Sequence, residues 1–382
     1  MKIQRLGQLA SVALVGSLAL AACGSDNNNA SGGGASSGSG GSSSSSGAGG
    51  SGAAECGSGT LNAEGSSAQK NAIEEAISTF QDECSGATVN YNPTGSGAGI
   101  KQFIAGQVDF AGSDSALKTV EKDGVVEADA AAKYCGSPAW NLPMVTGPIA
   151  IAFNVKGVDR LVLTPQVAAG IFSGKVTTWN DPSIAKINSG VSLPAEPIKV
   201  FFRSDESGTT ENFTKYLKAA APSAWTAEPG KKWTGKGEGK PKSDGVAGAV
   251  KSTEGGITYA EWSYAKDNSL GIAQIDNGAG PVELTGEAVG KAVSAAKADG
   301  QGHDLRLKLD YATKEAGAYP ILLVTYEIVC SKSKDAGKAA LTKAFLKHFA
   351  SAETQKSLED IGYAPLPDEV RTKVDAAIAA LS

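Results

Sequence analysis

The sequence predicts an α/β protein built as two α/β domains joined by two crossover strands. Strand, loop and helix recur in order from Thr60 onward, which is the signal of a parallel sheet. Two long apolar runs, Val145–Val155 and Tyr319–Cys330, flank a middle stretch with a strand and a helix of its own. About 327 residues follow Glu55, more than a single core usually organises.

The chain opens with Lys2 and Arg5 and then a small, apolar stretch from Leu9 to Ala22. A membrane-spanning helix needs roughly 20 such residues, so 1–22 reads as a removable export signal. Its end, Leu20-Ala21-Ala22-Cys23, resembles a bacterial lipobox, which implies cleavage before Cys23 and a lipid on that cysteine. From Gly24 to Ala54 the chain is mostly Gly, Ser, Ala and Asn, with almost nothing apolar to bury. Residues 23–55 are therefore expected to be a lipidated cysteine and a flexible tether. About 31 residues of Gly/Ser coil span on the order of 30 Å.

The globular part begins with a strand at Thr60–Ala63, the turn Gly65-Ser66-Ser67, and a helix to about Asp82 with Ile73, Ile77 and Phe80 on one face. Thr88–Tyr91 is the next strand, then the Gly95 loop and a helix carrying Ile100, Phe103 and Ile104. Val108–Ala111 is a third strand, running into Ser113-Asp114. The middle stretch holds a strand at Val200–Phe202, a helix at Thr210–Ala219, and a Lys- and Gly-rich segment, Lys231–Gly245, expected to be a surface loop. The tail from Ala336 to Leu381 reads as mostly helical, returning to the first domain. Domain I is thus 56–147 plus 318–382 and domain II is 148–317, with hinges near Gly147-Pro148 and Gly317–Tyr319.

Setting Cys23 aside leaves Cys56, Cys84, Cys135 and Cys330, an even set that in an exported chain reads as two disulfides. Three pairings are possible. Cys56 and Cys84 precede the first two strands, and Cys135 and Cys330 border the two crossovers, so Cys56–Cys84 and Cys135–Cys330 are expected. Their spacing fits no zinc pattern, and the chain has only His303 and His348, the latter expected on a solvated helix face. Neither a metal nor a cofactor is expected. The net charge of −5 and the lack of a basic, aromatic-studded patch argue against nucleic acid.

Three polar stretches stand before predicted helices: Gly65-Ser66-Ser67, Gly95-Ser96-Gly97-Ala98-Gly99 and Arg203-Ser204-Asp205-Glu206-Ser207-Gly208-Thr209. A helix start offers orphan N–H groups and partial positive charge, Gly permits close approach, and hydroxyls add donors. Arg203 presents a donor fork suited to two oxygens, and Asp205 is positioned to accept from it. Asp114 would repel a fully ionised anion but would accept the proton that phosphate still carries near neutral pH. Enzymatic readings fit less well. The Gly95–Lys101 segment lacks the Gly-Lys-Ser/Thr end of a P-loop, Ser207 lacks a Gly-x-Ser-x-Gly elbow, and neither histidine has a triad context.

These segments together resemble the phosphate-binding proteins of bacterial phosphate ABC importers, the PstS family, in its actinobacterial lipoprotein form. The resemblance covers Leu61 to about Pro367. It rests on Ala63-Glu64-Gly65-Ser66-Ser67-Ala68-Gln69, the Tyr91–Gly99 and Val108–Asp114 segments, Phe172-Ser173-Gly174-Lys175 through Trp179-Asn180-Asp181-Pro182, the Arg203–Thr209 segment and Gly362-Tyr363-Ala364-Pro365-Leu366-Pro367. It implies a two-lobed, type II periplasmic-binding-protein-like fold that closes over dehydrated phosphate without catalysis. Carried over by motif position, the ligands are Ser67, Ala68 through its N–H, Ser96, Asp114, Arg203, Ser207, Gly208 and Thr209, with Asp205 bracing Arg203. The family often has Thr and then an aromatic or apolar residue where this chain has Ser67 and Ala68, so a hydroxyl and an N–H survive. The resemblance also implies a monomer, anchored by lipid on the extracytoplasmic face, that hands phosphate to membrane permease subunits. The alternatives are a surface-tethered phosphate-ester hydrolase and a binder of another tetrahedral oxyanion such as sulfate.

Overall fold

Apolar alternation in the first segments produces a parallel core of strands. Gly59–Gly65 pairs in parallel with Ala87–Asn92 on one side and with Phe110–Ser113 on the other. The structure, a computed structural model, describes residues 56–122 and 124–382; the export signal, Cys23 and the tether lie outside the described residues. The third strand starts two residues later than the apolar run suggested, because pairing begins where Phe110 meets Ala63. Helices Lys70–Glu83 and Ser96–Ile104 connect these strands, so both loops before them open at the same sheet edge.

The two long apolar runs are strands that carry the sheet from one lobe into the other. Leu322–Cys330 is antiparallel to Phe110–Ser113 and to the first part of Ala139–Asn154, with a bulge at Thr325/Tyr326. The 16-residue strand Ala139–Asn154 begins earlier than expected and changes partner midway. Pro148 pairs with Leu322, whereas Ile149 already pairs with Glu261 of the strand Gly256–Glu261. Beyond that point Lys199–Arg203 and the short Glu238–Lys240 complete the second half of the sheet. Near-continuous burial along both crossover strands follows from cover on both faces.

Each half has its own core. In the first, Phe80, Phe110 and Leu61 pack against Leu341, Phe345 and Phe349 of the tail helix Ala336–Phe349. In the second, Phe172, Phe213, Tyr259 and Trp233 form an aromatic cluster behind the strand that ends in Arg203. The Trp179 of the Phe172–Pro182 motif is fully buried there, its indole N–H donating to Gly255 O at 3.2 Å. Both disulfides are those expected, Cys56–Cys84 and Cys135–Cys330, each with Cα atoms 5.4 Å apart.

Two local expectations need correction. The Lys231–Gly245 segment is not simply a surface loop. It holds the edge strand Glu238–Lys240 and starts the helix Lys242–Lys251, while Trp233 stacks on Phe202 and Ser243 is fully buried. Lysine and glycine density hid this, since both residue types are depleted in strands. His348 is not a solvated helix residue either: it packs on Phe80 and bonds Thr79 Oγ1 at 2.9 Å. No helix among the described residues is long and apolar enough to cross a membrane.

Candidate functional site

The Gly65-Ser66-Ser67-Ala68 loop is held from behind by tyrosines. Three successive carbonyls, of Ser66, Ser67 and Ala68, accept from the hydroxyls of Tyr91 (2.8 Å), Tyr264 (2.7 Å) and Tyr363 (2.7 Å). A trans peptide directs its N–H opposite to its C=O, so pinning these carbonyls turns the following N–H groups the other way. Burial, the leading cause in each case, raises the pKa of all three phenols and keeps them as donors. The Ala68 N–H donates to Ser66 Oγ at 3.0 Å, and Ser66 in turn donates to Asp114.

Asp114 follows the strand Phe110–Ser113 and is buried beneath three hydroxyls. Ser66 and Thr325 donate to Oδ1 at 2.5 and 2.9 Å, and Ser96 donates to Oδ2 at 3.1 Å. Burial pushes its carboxyl up to about 6, the charge of Glu261 adding, while the Ser66 and Thr325 hydroxyls and Arg203 pull it down. At neutral pH it is therefore mainly ionised, with room on Oδ2 for one more donor.

The second lobe brings the cation. Arg203 ends the strand Lys199–Arg203 and is buried, with Nε and Nη2 donating to the two oxygens of Asp205 at 2.8 and 2.5 Å. This bidentate pair fixes the guanidinium plane. Burial opposes the charge, but Asp205 more than offsets it and the arginine stays cationic. Burial likewise opposes ionisation of Asp205, and the guanidinium holds that carboxyl below its usual range. The remaining nitrogen, Nη1, reaches Thr209 Oγ1 at 3.2 Å and Ser243 Oγ at 3.0 Å.

Ser207 caps the helix Gly208–Ala220, its Oγ accepting from the Thr210 N–H at 3.1 Å. The N–H groups of Gly208 and Thr209 are left as first-turn donors. Gly208 is required by closeness, since a Cβ there would stand 2.6 Å from Ser96 Oγ and 2.7 Å from Asp114 Oδ2. Gly95 caps the opposing helix at φ +107°, where a side chain would also strike Asp205 Oδ2 at 2.6 Å. Gly97 N–H donates across to Glu206 O at 2.9 Å, and Lys101 pairs with Glu206 at 2.6 Å.

All eight residues expected as ligands gather in one chain of contacts spanning both halves of the sheet. Ser96, Asp114 and Gly208 meet directly, Arg203 bonds Thr209 directly, and Arg203 and Ser67 meet through Ser243. Sequence reasoning missed Ser66, Ser243, Glu261 and Thr325. Ser66 stood beside Ser67 and shared its signal. Ser243 follows a strand and opens a helix, the grammar used for the other loops, but lysines masked it. Glu261 and Thr325 lie within apolar strands, where only tertiary contact gives them a role: Glu261 accepts from Thr209 Oγ1 at 2.6 Å. Among the described residues no group of three or more His, Cys, Asp or Glu side chains could hold a metal.

Fold and site define a class: a two-lobed α/β binding protein in which helix starts, hydroxyls and one braced arginine converge between the lobes. A family model described as a PBP superfamily domain matches residues 50–353. The chain is 45% identical over 388 residues to phosphate-binding protein PstS 3 of Mycobacterium tuberculosis (strain ATCC 25618 / H37Rv), covering 100% of both. It is 32% identical to phosphate-binding protein PstS of Xylella fastidiosa, covering 83% of this chain and 85% of the relative. The fold is also that of a high affinity periplasmic phosphate-binding protein, PfluDING, solved with phosphate bound, at a TM-score of 0.67, 23% identity and 83% and 93% coverage. This chain belongs to the PBP superfamily and, within it, to the PstS family of phosphate ABC transporter substrate-binding proteins.

Proposed function

We propose that this protein binds inorganic phosphate between its lobes, outside the cytoplasmic membrane, and delivers it to the permease subunits of a phosphate ABC importer. The contact of Asp114 with the Gly208 helix start, beside a braced Arg203, carries this reading. Arg203 stands among the carboxylates of Asp114, Asp205 and Glu261, so an anion is not held by its charge alone. It is held by directed donors, Arg203, the hydroxyls of Ser67, Ser96, Ser207 and Thr209 and the N–H groups of Ala68, Gly208 and Thr209, of which Ala68, Ser96 and the Thr209 hydroxyl turn to the anion from their partners Ser66, Asp114 and Glu261. Asp114 accepts the proton of phosphate, and sulfate, having none, meets repulsion and an unmatched acceptor.

The first lobe is 56–147 with 318–382 and the second is 148–317, and the hinge lies where the long strand changes partner at Pro148/Ile149. Lipid on Cys23 and the 23–55 tether would keep a monomeric body near the membrane and free to turn. The relatives that this chain matches are phosphate-binding proteins, which favours binding over catalysis.

Titration calorimetry with phosphate, arsenate and sulfate tests the reading. Phosphate and arsenate should bind and sulfate should bind far more weakly. No heat with phosphate would overturn it, and metal-dependent release of phosphate from a generic ester would favour the hydrolase.

A further inference from the structure

Ser243 is fully buried at the start of the helix Lys242–Lys251, and its hydroxyl touches both lobes. Its Oγ accepts from Arg203 Nη1 at 3.0 Å and lies 3.0 Å from Ser67 Oγ, while its N–H donates to Ser67 Oγ at 3.2 Å. Asp205 fixes the approach, because the carboxylate that braces Arg203 also accepts from the Lys242 N–H at 2.9 Å.

Counting hydrogens shows what this pair can offer. Each hydroxyl owns one hydrogen and two lone pairs. Ser67 Oγ has one lone pair taken by the Ser243 N–H, and Ser243 Oγ has one taken by the guanidinium. Each keeps one lone pair for the other, so the bond between them runs in either direction and uses one hydrogen. The second hydrogen is left over. Among the described residues neither hydroxyl has another acceptor in reach.

We propose that Ser243 is a further binding residue of this site and that Ser67 and Ser243 act as a single donor unit, whichever hydroxyl is not spent within the pair donating to the bound anion. The inference rests on the phosphate reading above. Deleting one hydroxyl then frees the other: without Ser67 Oγ, the Ser243 hydrogen has no partner but the ligand. Each single deletion keeps the donor to the ligand and loses the bond inside the pair, together with the acceptor that Ser67 offers the Ser243 N–H or that Ser243 offers Arg203, and the double deletion loses the donor itself.

The test is titration calorimetry with inorganic phosphate on wild type, Ser67→Ala, Ser243→Ala and the double variant, each checked by thermal melting. Each single variant should lose up to about 5-fold in affinity and the double more than about 100-fold, well beyond the product of the singles. In the Ser67→Ala background, Ser243→Thr should keep the affinity of Ser67→Ala alone. The proposal is overturned if the two losses simply multiply, or if Ser243→Ala binds as wild type in both backgrounds. Should the double variant not fold, Ser67→Ala decides: a loss above about 10-fold rules out a shared donor. Wild type that binds no phosphate removes the functional reading itself, which is a different failure.

Discussion

Gly208 and Asp114 face one another so closely that a Cβ on Gly208 would lie 2.5 Å from Asp114 Cβ. The contact joins a helix start of one lobe to the buried carboxylate of the other, so only a hydrogen at position 208 lets the lobes meet. The backbone there is outside the left-handed region, and alanine favours a helix more than glycine does. Gly208→Ala should therefore fold and melt like wild type but resist closure, at a cost of about 1–3 kcal/mol in phosphate affinity, as overpacking does. Small-angle scattering should show wild type contracting on phosphate and this variant contracting less. Equal affinity and equal contraction would show that the lobes do not need this contact.

Arg203 should matter more than any single hydroxyl. Its bidentate bond with Asp205 and its bonds to Thr209 and Ser243 make it the node of the second lobe's donors. Arg203→Ala removes the guanidinium and strands Asp205, a loss of about 2–5 kcal/mol in binding, against roughly 0.5–1.5 for Ser96→Ala. Calorimetry giving equal losses for the two variants would contradict these roles.

Asp114 should set which anion is chosen. Asp114→Asn keeps the shape and brings an NH₂ donor that a fully ionised oxygen can use, so the preference for phosphate over sulfate should shrink. The same preference should narrow in wild type as pH falls through about 6, where Asp114 gains its own proton and ceases to be an acceptor only. Competition binding at pH 5 and pH 8, on both proteins, measures this. A preference unaltered by mutation and by pH would remove Asp114 as the proton reader.

Glu327 should make stability fall as pH rises. It is fully buried in the strand Leu322–Cys330, and neither carboxylate oxygen has a hydrogen-bond partner among the described residues. Burial, with the charge of Asp114 adding and the nearby Gln69 amide opposing, pushes it from 4.5 up to about 8. The folded pKa lies above the unfolded one, so the folded state holds the proton more tightly. This stabilisation is complete below about pH 4.5 and is lost as pH rises through about 8. Relative to Glu327→Gln, wild type should lose on the order of 2–4 kcal/mol between pH 5 and pH 9. Parallel melting curves for the two proteins across that range would mean that Glu327 does not titrate in the fold.

The loops legible in the sequence were those whose local chemistry is self-contained. Gly65-Ser66-Ser67, Gly95-Ser96-Gly97 and Ser207-Gly208-Thr209 each combine a strand end, a small polar turn and a helix start, all adjacent along the chain. Asp205 and Arg203 are two residues apart, and that spacing alone suggested their pairing. Ser243, Thr325 and Glu261 lacked any such sign. They enter the site from 176, 211 and 52 positions away in the contacts they make with Ser67, Asp114 and Thr209.

By itself the sequence determined the α/β class, the strand–loop–helix order and the kind of ligand the loops could hold. Those properties follow from apolar periodicity, turn chemistry and residue type, which act over a few residues. Tertiary structure alone decided which oxygen accepts from which donor. The long strand Ala139–Asn154 leaves Leu322–Cys330 for Gly256–Glu261 at Ile149, and that exchange aligns two separately packed cores. Only once both cores are packed do Ser67 and Ser243, or Asp114 and Gly208, come within contact distance, because burial of apolar surface sets the backbone positions and the polar groups follow.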